Sequence, residues 1–271
     1  MTDLVTVTVA DGIADVRFNR PDKHNSLTLD MFSAINEAAR ALYTDPRIRV
    51  AVLSGNGPSF CAGLDFSIMQ EMLKSPDAAR AVMDSLLARD AGPDNRAQRT
   101  ACAWKYAPVP VIAALHGVAF GGGCQIALGA DIRIAAPDTR MSVMEIKYGL
   151  VPDMGLTQTL PDLVRIDVAK ELTLTGRVVE AREAERLGLV TQVAEDPLAV
   201  AFAMARGIAA RSPQAIRASK RLLNEAWRAD ARTGLELEEA LQITLLGSAD
   251  NVEAVNAAMQ KRAPVFADVG A

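Results

Sequence analysis

Short strand-like segments alternate with helical segments over the first two-thirds of this 271-residue chain, and helical patterns alone follow. The segment VTVTVADGIADVRFN holds two alternating runs around Asp11 and Gly12, which is the signal of a β-hairpin. SLTLDMFSAINEAARALY then has apolar residues at helical spacing, with Thr28 as the candidate N-cap. This ββα order predicts α/β layers with a helical C-terminal part, and it disfavours a simple βαβ Rossmann fold.

The alternation continues through the middle of the chain. IRVAVLSG, PVIAALHG and DIRIAA are predicted to be short buried strands, and residues 122–130 a helix. Residues 68–104 are predicted to be helical with a break near Gly92 and Pro93, and the pattern after residue 156 is almost wholly helical. We therefore expect an α/β core over residues 1–200 and a helical C-terminal region over residues 201–271.

Composition excludes several function classes. Hydrophobic residues make up 50% of the chain, enough for one sizeable core. The formal net charge of −4 offers no general attraction to phosphate backbones, so we expect no nucleic-acid partner. No apolar window is long enough for a membrane span and the N-terminus has no leader-like pattern, so we expect a cytoplasmic protein without membrane contact.

Cysteine and histidine usage argues against a metal site. The chain has two histidines, and Cys61, Cys102 and Cys124 lie far apart with no ligand spacing. We expect all three thiols to be reduced and packed as small hydrophobic groups. His116 lies at a predicted strand end, where core packing is expected.

Common catalytic motifs are missing from the sequence. SGNGPSF lacks the third glycine of a dinucleotide-binding turn, and no phosphate-binding loop occurs. No G-x-S-x-G surrounds any serine, which disfavours a serine hydrolase.

Two glycine-containing turns, FCAGLD (60–65) and FGGGCQ (120–125), each follow a predicted buried strand. Gly121 to Gly123 open a helix whose first N–H groups have no intrahelical partner, so a ligand carbonyl can approach the Gly122 N–H closely. The Leu64 N–H can complete a two-donor cradle for a developing enolate, in which one donor is worth roughly 3 to 4 kcal/mol. Glycines that serve only tight helix–strand packing are the alternative interpretation.

Two acids lie in the mostly apolar segment MSVMEIKYGLVPDMGLTQTL: Glu145 and, after Pro152, Asp153. A carboxyl group near a closed apolar pocket has a raised pKa and can exchange protons with carbon acids near neutral pH. A structural carboxyl group is the alternative for Glu145. For Asp153, the residues alone favour an N-cap of the helix that begins near Gly155.

In order and spacing, FCAGLD, HGVAFGGGCQIALGADIRIA and MEIKYGLVPDMGLTQTLP resemble the crotonase superfamily, the enoyl-CoA hydratase/isomerase family. The similarity extends through NRPDKHNSL, TGRVVEAREAERLGLV, SPQAIRASKRLLN and AAMQKRAPVF. It implies a spiral of ββα units with a helical C-terminal trimerisation region, and hence a homotrimer or a dimer of trimers. It also implies an acyl-CoA thioester substrate, with no cofactor apart from the coenzyme A of that substrate, and an oxyanion hole formed by the N–H groups of Leu64 and Gly122.

The acids decide which reaction the resemblance implies. Family hydratases use two glutamates, and this chain has Gln125 at the first position and Glu145 at the second. A single carboxylate at the Glu145 position is similar to the Δ3,Δ2-enoyl-CoA isomerases. An aspartate at the Asp153 position is similar to the Δ3,5-Δ2,4-dienoyl-CoA isomerases, which also have an acid where this chain has Gln125.

We therefore expect a double-bond isomerase in which Glu145 moves the C2 proton and Asp153 serves a more distal carbon. A hydratase that uses Glu145 and a water held by Gln125 is one alternative. A non-catalytic acyl-CoA binding protein is the other.

The resemblance also suggests binding residues. Ser67 occupies a position that is often a lysine paired with coenzyme A phosphates. The residues expected to contact the substrate or coenzyme A are Lys23, His24, Ala62, Asp65, Phe66, Gly121 and Pro152.

Four side chains are expected to shape the acyl pocket: Leu64, Phe66, Trp104 and Tyr148. Lys261 and Arg262 are candidates for contact with a neighbouring subunit's ligand, with plain solvated side chains as the alternative.

Overall fold

The structure is a computed structural model that describes residues 3–90 and 92–269. Within these residues a six-stranded sheet has the order β1-β2-β3-β4-β6-β9, and a three-stranded sheet has the order β5-β7-β8. The strands are β1 (Val5–Ala10), β2 (Ile13–Phe18), β3 (Val50–Gly55), β4 (Val111–Leu115), β5 (Val118–Phe120), β6 (Ile132–Ala135), β7 (Arg140–Ser142), β8 (Val179–Glu180) and β9 (Gln192–Val193).

Helices separate the strands and continue to the C-terminal end. They are α1 (Leu29–Thr44), α2 (Phe66–Met72), α3 (Pro76–Leu87), α4 (Arg96–Tyr106), α5 (Gly122–Leu128), α6 (Leu156–Thr159), α7 (Ile166–Thr175), α8 (Ala181–Leu187), α9 (Pro197–Ala209), α10 (Pro213–Ala226), α11 (Ala231–Leu245) and α12 (Ala249–Met259). Short 3₁₀ turns cover Pro21–Lys23, Glu145–Tyr148 and Leu160–Asp162.

The predicted hairpin and first helix cap are confirmed. Strands β1 and β2 pair antiparallel, and Asp11 and Gly12 both have positive φ, as a tight hairpin turn requires. The Thr28 hydroxyl accepts a hydrogen bond from the Met31 N–H and so caps α1. From β2 onward the large sheet is parallel.

Both faces of the large sheet are covered, which explains its continuous apolar strands. On β3, Ala51 and Leu53 face a core that includes residues of α1 and α4, whereas Val50 and Val52 face α9. The expected boundary after residue 200 therefore falls inside a helix that packs on the sheet.

The predicted helix over residues 68–104 consists of three helices, α2, α3 and α4. The break around Gly92 and Pro93 is confirmed. A second break follows α2, because the Ser75 hydroxyl caps α3 and Pro76 occupies its first turn. The region after residue 156 also contains the two-residue strands β8 and β9, which the helical prediction missed.

Helix α10 is fixed to the core by a buried lysine. The Lys220 side chain, 7% exposed, donates hydrogen bonds to the carbonyls of Trp104 and Val109 and to the Asp131 carboxylate at 2.7 Å. By contrast, every residue of α11 keeps some surface exposed. Across residues 3–90 and 92–269, no helix combines the length and hydrophobicity needed to cross a bilayer.

Candidate active site

The two glycine-containing turns are joined by backbone hydrogen bonds. The Cys61 N–H donates to the Val118 carbonyl, and the Phe120 N–H donates to the Cys61 carbonyl, both at 3.0 Å. This parallel bridge runs from Cys61 to Ala119 and aligns the chain after β3 with the chain after β4. Two residues 58 positions apart in the sequence are thus held together with fixed main-chain geometry.

Glycine is required where the turns come closest. Gly63 has a φ of +88°, and a Cβ there would lie 2.6 Å from the Phe120 carbonyl oxygen and 3.6 Å from the Gly122 nitrogen. Gly122 is the first residue of α5, and a Cβ there would meet the Met154 Sδ at 2.7 Å. The glycine run therefore permits close packing and places no side chain of its own at the helix N-terminus.

The predicted pair of donors lines one cavity. Among the described residues, no backbone carbonyl accepts a hydrogen bond from the Leu64 or the Gly122 N–H. Leu64, Gly121 and Gly122 all line the same cavity of about 220 Å³. Two main-chain donors in the wall of one cavity can together bind one ligand oxygen.

Glu145 faces this cavity from the 3₁₀ turn that follows β7. Its Oε1 accepts a hydrogen bond from the Gln125 Nε2 at 2.6 Å, whereas its Oε2 is buried without a hydrogen-bond partner among the described residues. Burial raises the pKa of Glu145; repulsion from Asp153 adds to the increase and the Gln125 hydrogen bond opposes it. The carboxyl group can therefore exchange a proton with a ligand in the cavity.

Gln125 holds Glu145 in place and does not face the cavity. It is fully buried, and its Oε1 accepts a hydrogen bond from the Met154 N–H at 2.9 Å. Because an N–H can only donate, this contact assigns the carboxamide oxygen to Met154 and the amide nitrogen to Glu145. The expectation that Gln125 orients a water in the pocket is not supported, because the side chain has no exposed surface.

Asp153 is not a helix cap. The N-cap of α6 is Gly155, which has a left-handed conformation and makes no side-chain cap hydrogen bond. The N-cap interpretation of Asp153 is therefore wrong. Asp153 instead lines the cavity, where desolvation by the surrounding protein raises its pKa although the residue remains solvent accessible.

Most of the predicted pocket residues line the cavity. Ala62, Leu64, Phe66, Gly121 and Tyr148 all do so. The rings of Phe66 and Tyr148 meet edge to face with centroids 6.3 Å apart.

Pro152 and Trp104 do not line the cavity. Pro152 does not contribute to the cavity wall, although Leu150 and Asp153, on either side of it in the sequence, both do. Trp104 is fully buried in the core, and its indole N–H donates to the Thr100 carbonyl at 2.8 Å. The predicted role of Trp104 in shaping the pocket is wrong, because Trp104 lies about two turns of α4 beyond Ala97, which does line the cavity.

Asp65 is occupied by protein contacts. Its carboxylate accepts hydrogen bonds from Arg20 at 2.6 Å, from Ser26 at 2.8 Å and from the N–H and hydroxyl of Ser67. Although burial opposes the shift, these bonds hold the pKa of Asp65 well below its usual range. Asp65 therefore caps α2 and fixes the turn that carries Leu64. Although it was predicted to contact the substrate or coenzyme A, it does not line the cavity.

The predicted basic residues lie outside this cavity. His24, whose Nδ1 is 2.9 Å from the Ser59 hydroxyl, lines a second, open cleft that shares Ala62 with the first cavity. Arg140, which the sequence patterns did not single out, lines that cleft too. Lys23 is exposed on the neighbouring turn.

Lys261 and Arg262 are both exposed near the end of α12. Arg262 is paired with Glu253 at 2.6 Å within the same chain. Neither side chain lines the candidate site.

The cysteines and His116 take no part in the site. Cys61, Cys102 and Cys124 are free and buried as predicted, and burial raises the pKa of Cys61 and Cys124 to about 12. His116 is half-buried and contacts the Gly57 carbonyl, so its expected core packing is wrong. In the described part of the chain, no cluster of three or more histidine, cysteine or acidic side chains is arranged to hold a metal ion.

Two β-sheets packed with helices, two main-chain N–H groups in the wall of an apolar cavity and a largely buried carboxyl group beside them are the features of the crotonase-fold enzymes. Comparison with known proteins agrees, since residues 8–269 match the sequence profile of the enoyl-CoA hydratase/isomerase family. The chain belongs to this family, whose members process acyl-CoA thioesters.

Individual relatives cover nearly the whole chain. (E)-Benzylidenesuccinyl-CoA hydratase of Thauera aromatica is 35% identical over 97% of this chain and 98% of its own. Human mitochondrial methylglutaconyl-CoA hydratase is 31% identical over 94% of this chain and 74% of its own. The crystal structure of an enoyl-CoA hydratase from Bacillus anthracis superposes with a TM-score of 0.86 at 29% identity, over 97% of this chain and 98% of that one.

Proposed function

We propose that the protein shifts a C=C bond of an enoyl- or dienoyl-CoA, with Glu145 as the proton shuttle. The observation that carries the proposal is the asymmetry of the Glu145 carboxyl group: Oε1 accepts a hydrogen bond from Gln125, whereas Oε2 is buried and has no hydrogen-bond partner in the described part of the chain. One oxygen is thus fixed for orientation, and the other keeps an unused lone pair that can take up a proton.

The reaction begins with the thioester oxygen between the N–H groups of Leu64 and Gly122. These donors stabilise the negative charge that forms on this oxygen when Glu145 removes a proton from C2. The electrons are delocalised from the enolate over the adjacent C3=C4 bond. Returning the same proton to C4 leaves a C2=C3 bond and regenerates the Glu145 carboxylate.

Asp153 extends this scheme to longer conjugated systems. It lines the same cavity as Glu145, and its raised pKa favours proton exchange in the pocket. In a dienoyl-CoA the negative charge reaches a carbon beyond C4. Glu145 and Asp153 can then exchange protons with the substrate from different positions in the cavity.

Hydration is the second candidate, because relatives at 31% and 35% identity are named hydratases. Since Gln125 is fully buried, the water of such a reaction would have to be held by Glu145 and Asp153. The two candidates thus use the same acids for different products.

The cleft that shares Ala62 with the cavity is the proposed path of the coenzyme A portion. His24 and Arg140 would contact its polar groups there. The family resemblance supports a homotrimer or a dimer of trimers.

The deciding experiment offers crotonyl-CoA, a 3-enoyl-CoA and a 3,5-dienoyl-CoA to the protein and identifies the products chromatographically. We expect double-bond shift to dominate, and Glu145→Gln to reduce it by about 10²- to 10⁴-fold while acyl-CoA affinity is retained. Glu195→Gln, at an exposed surface position, is the matched control and should retain full activity.

The products separate the three possibilities. Efficient formation of a 3-hydroxyacyl-CoA that is lost in Glu145→Gln would overturn the isomerase proposal in favour of hydration. Tight binding without turnover of any of the three substrates would indicate a non-catalytic acyl-CoA binding protein.

A further inference from the structure

We infer that the cavity accepts an uncharged, apolar acyl group about the size of a substituted ring, and that it excludes acyl groups ending in a carboxylate. This inference rests on the proposed function, because it takes the cavity beside Leu64 and Gly122 as the place of the acyl group.

The charge of the cavity wall gives the first argument. Among the described residues, Glu145 and Asp153 are the charged side chains of the wall, and no lysine, arginine or histidine lines it. A terminal carboxylate would be desolvated there without a cationic partner and would face two acids of the same sign. An uncharged acyl group carries no such penalty.

Methionines give the second argument. Half of the chain's ten methionines line this one cavity: Met69, Met72, Met83, Met144 and Met154. Their unbranched side chains adapt to irregular shapes, and thioether–aromatic contacts are worth about 0.3 to 1.5 kcal/mol each. With Phe32, Phe66 and Tyr148 in the same wall, the surface suits an aromatic or bulky group better than a short aliphatic one.

Cavity volume gives the third argument. A dry apolar cavity of about 150 Å³ binds benzene. The volume of about 220 Å³ leaves room for such a ring and about two further heavy atoms, at roughly 30 Å³ each.

The test measures binding of saturated acyl-CoA ligands, which cannot undergo a double-bond shift. Pentanoyl-CoA and glutaryl-CoA form a matched pair, in which a terminal methyl group is replaced by a carboxylate. 3-Phenylpropanoyl-CoA tests the preference for a ring. All three carry the same coenzyme A, so differences in Kd by calorimetry report on the acyl group.

We expect 3-phenylpropanoyl-CoA to bind more tightly than pentanoyl-CoA, and glutaryl-CoA to bind at least about tenfold more weakly than pentanoyl-CoA. Equal or tighter binding of glutaryl-CoA would overturn the inference, and so would weaker binding of the phenyl ligand. The isomerase proposal is tested by turnover instead, so either proposal can fail while the other stands.

A pair of variants on α3 tests whether the discrimination between the acyl groups arises in this cavity. Met83 lines the cavity and is 40% exposed, whereas Leu87, on the same helix and 45% exposed, does not line it. Met83→Lys should tighten glutaryl-CoA binding by about tenfold, because it supplies a cation to the carboxylate. Leu87→Lys should leave all three affinities unchanged, and equal effects of the two variants would contradict the assignment of the acyl group to this cavity.

Discussion

At the scale of single residues, Gln125 connects both candidate acids. Its Nε2 binds Glu145, and its Oε1 binds the backbone N–H directly after Asp153. One buried carboxamide thus fixes the Glu145 carboxyl group and the chain segment that carries Asp153. Its role is to position acids, which an amide does without adding charge to the pocket.

Replacing Gln125 by glutamate should change the pH dependence of catalysis. In Gln125→Glu, one new oxygen can still accept the Met154 N–H, but the other lies against Glu145 Oε1, where two carboxyl oxygens must share a proton. The acid limb of the kcat/KM profile should then move upward by at least about one pH unit.

Gln192→Glu, an exposed change of the same charge, is the control for this profile and should leave the acid limb in place. An unmoved limb in Gln125→Glu would contradict the contact between Gln125 and Glu145. The same variant tests whether this protein needs a second acid to catalyse hydration. If it does, Gln125→Glu should have a higher hydratase activity than the parent protein.

The Glu145 carboxyl group should reduce stability at neutral pH. Its folded-state pKa is raised above the ordinary value of about 4.3, so the folded protein retains a proton that the unfolded chain releases. Below pH 4.3 the carboxyl group is protonated in both states and the folded protein has its full stability. This stability is reduced as the pH rises from 4.3 through the folded-state pKa.

Urea unfolding can measure this effect. Glu145→Gln should have a larger free energy of unfolding than the parent protein at pH 8, by about 1.4 kcal/mol per unit of pKa increase, and the gain should disappear near pH 4. Glu195→Gln should show no such pH-dependent gain. A Glu145→Gln variant less stable than the parent at pH 8 would show that the carboxylate has a stabilising partner.

At the scale of secondary-structure elements, the Lys220–Asp131 pair holds α10 against the core. All three ammonium hydrogens are used, and Asp131 also accepts the Val111 N–H at 2.7 Å. Lys220→Met should lower the free energy of unfolding by about 3 to 5 kcal/mol, because it leaves a carboxylate unpaired.

Arg221→Met, one position along the same helix, is the comparison. It removes an exposed ion pair with Glu225 and should cost no more than about 1 kcal/mol. Similar losses in both variants, measured by urea unfolding, would argue against a special role of the buried pair.

Sequence patterns predicted elements best where signals were local. The hairpin at Asp11–Gly12 and the Thr28 cap depend on neighbouring residues, and both are confirmed. The signal for the start of α3 is also local, since the capping Ser75 directly precedes Pro76. The helical spacing of apolar residues on either side suggested one continuous helix, so this start was not predicted. Strands β8 and β9 have two residues each, which is too short for any periodicity.

The site was predicted only in part for the same reason. The turns with Leu64 and Gly122 have a local signature, a glycine-containing turn after a buried strand. Gln125, by contrast, takes its role from Glu145 and Met154, which lie 20 and 29 positions later. The methionines of α2 and α3 face the cavity only because of how those helices pack, and in sequence they are indistinguishable from core residues.

At the scale of the whole molecule, the C-terminal helices present an apolar surface. Leu223, Trp227, Leu235 and Ile243 on α10 and α11 are each more than half exposed, and no described residue of α11 is buried. Large exposed apolar patches are typical of protein–protein interaction sites. This surface agrees with the oligomer that the family resemblance implies.

Light scattering after size exclusion tests this assembly. We expect a mass that is three or six times 28.9 kDa, and Leu235→Glu with Ile243→Glu should yield smaller species. Thr8→Glu, at an exposed position of the edge strand β1, should leave the mass unchanged. A parent protein that elutes as a monomer would contradict the prediction.

The bridge between Cys61 and Ala119 has an evolutionary consequence. Because main-chain atoms form the donor pair, point mutations in the surrounding side chains leave that pair in place. A descendant could therefore exchange its acids, or the lining of its cavity, while it keeps the donor pair proposed to stabilise an enolate. A new reaction in such a lineage would then require changes in side chains alone, since the proposed donor pair is inherited with the fold.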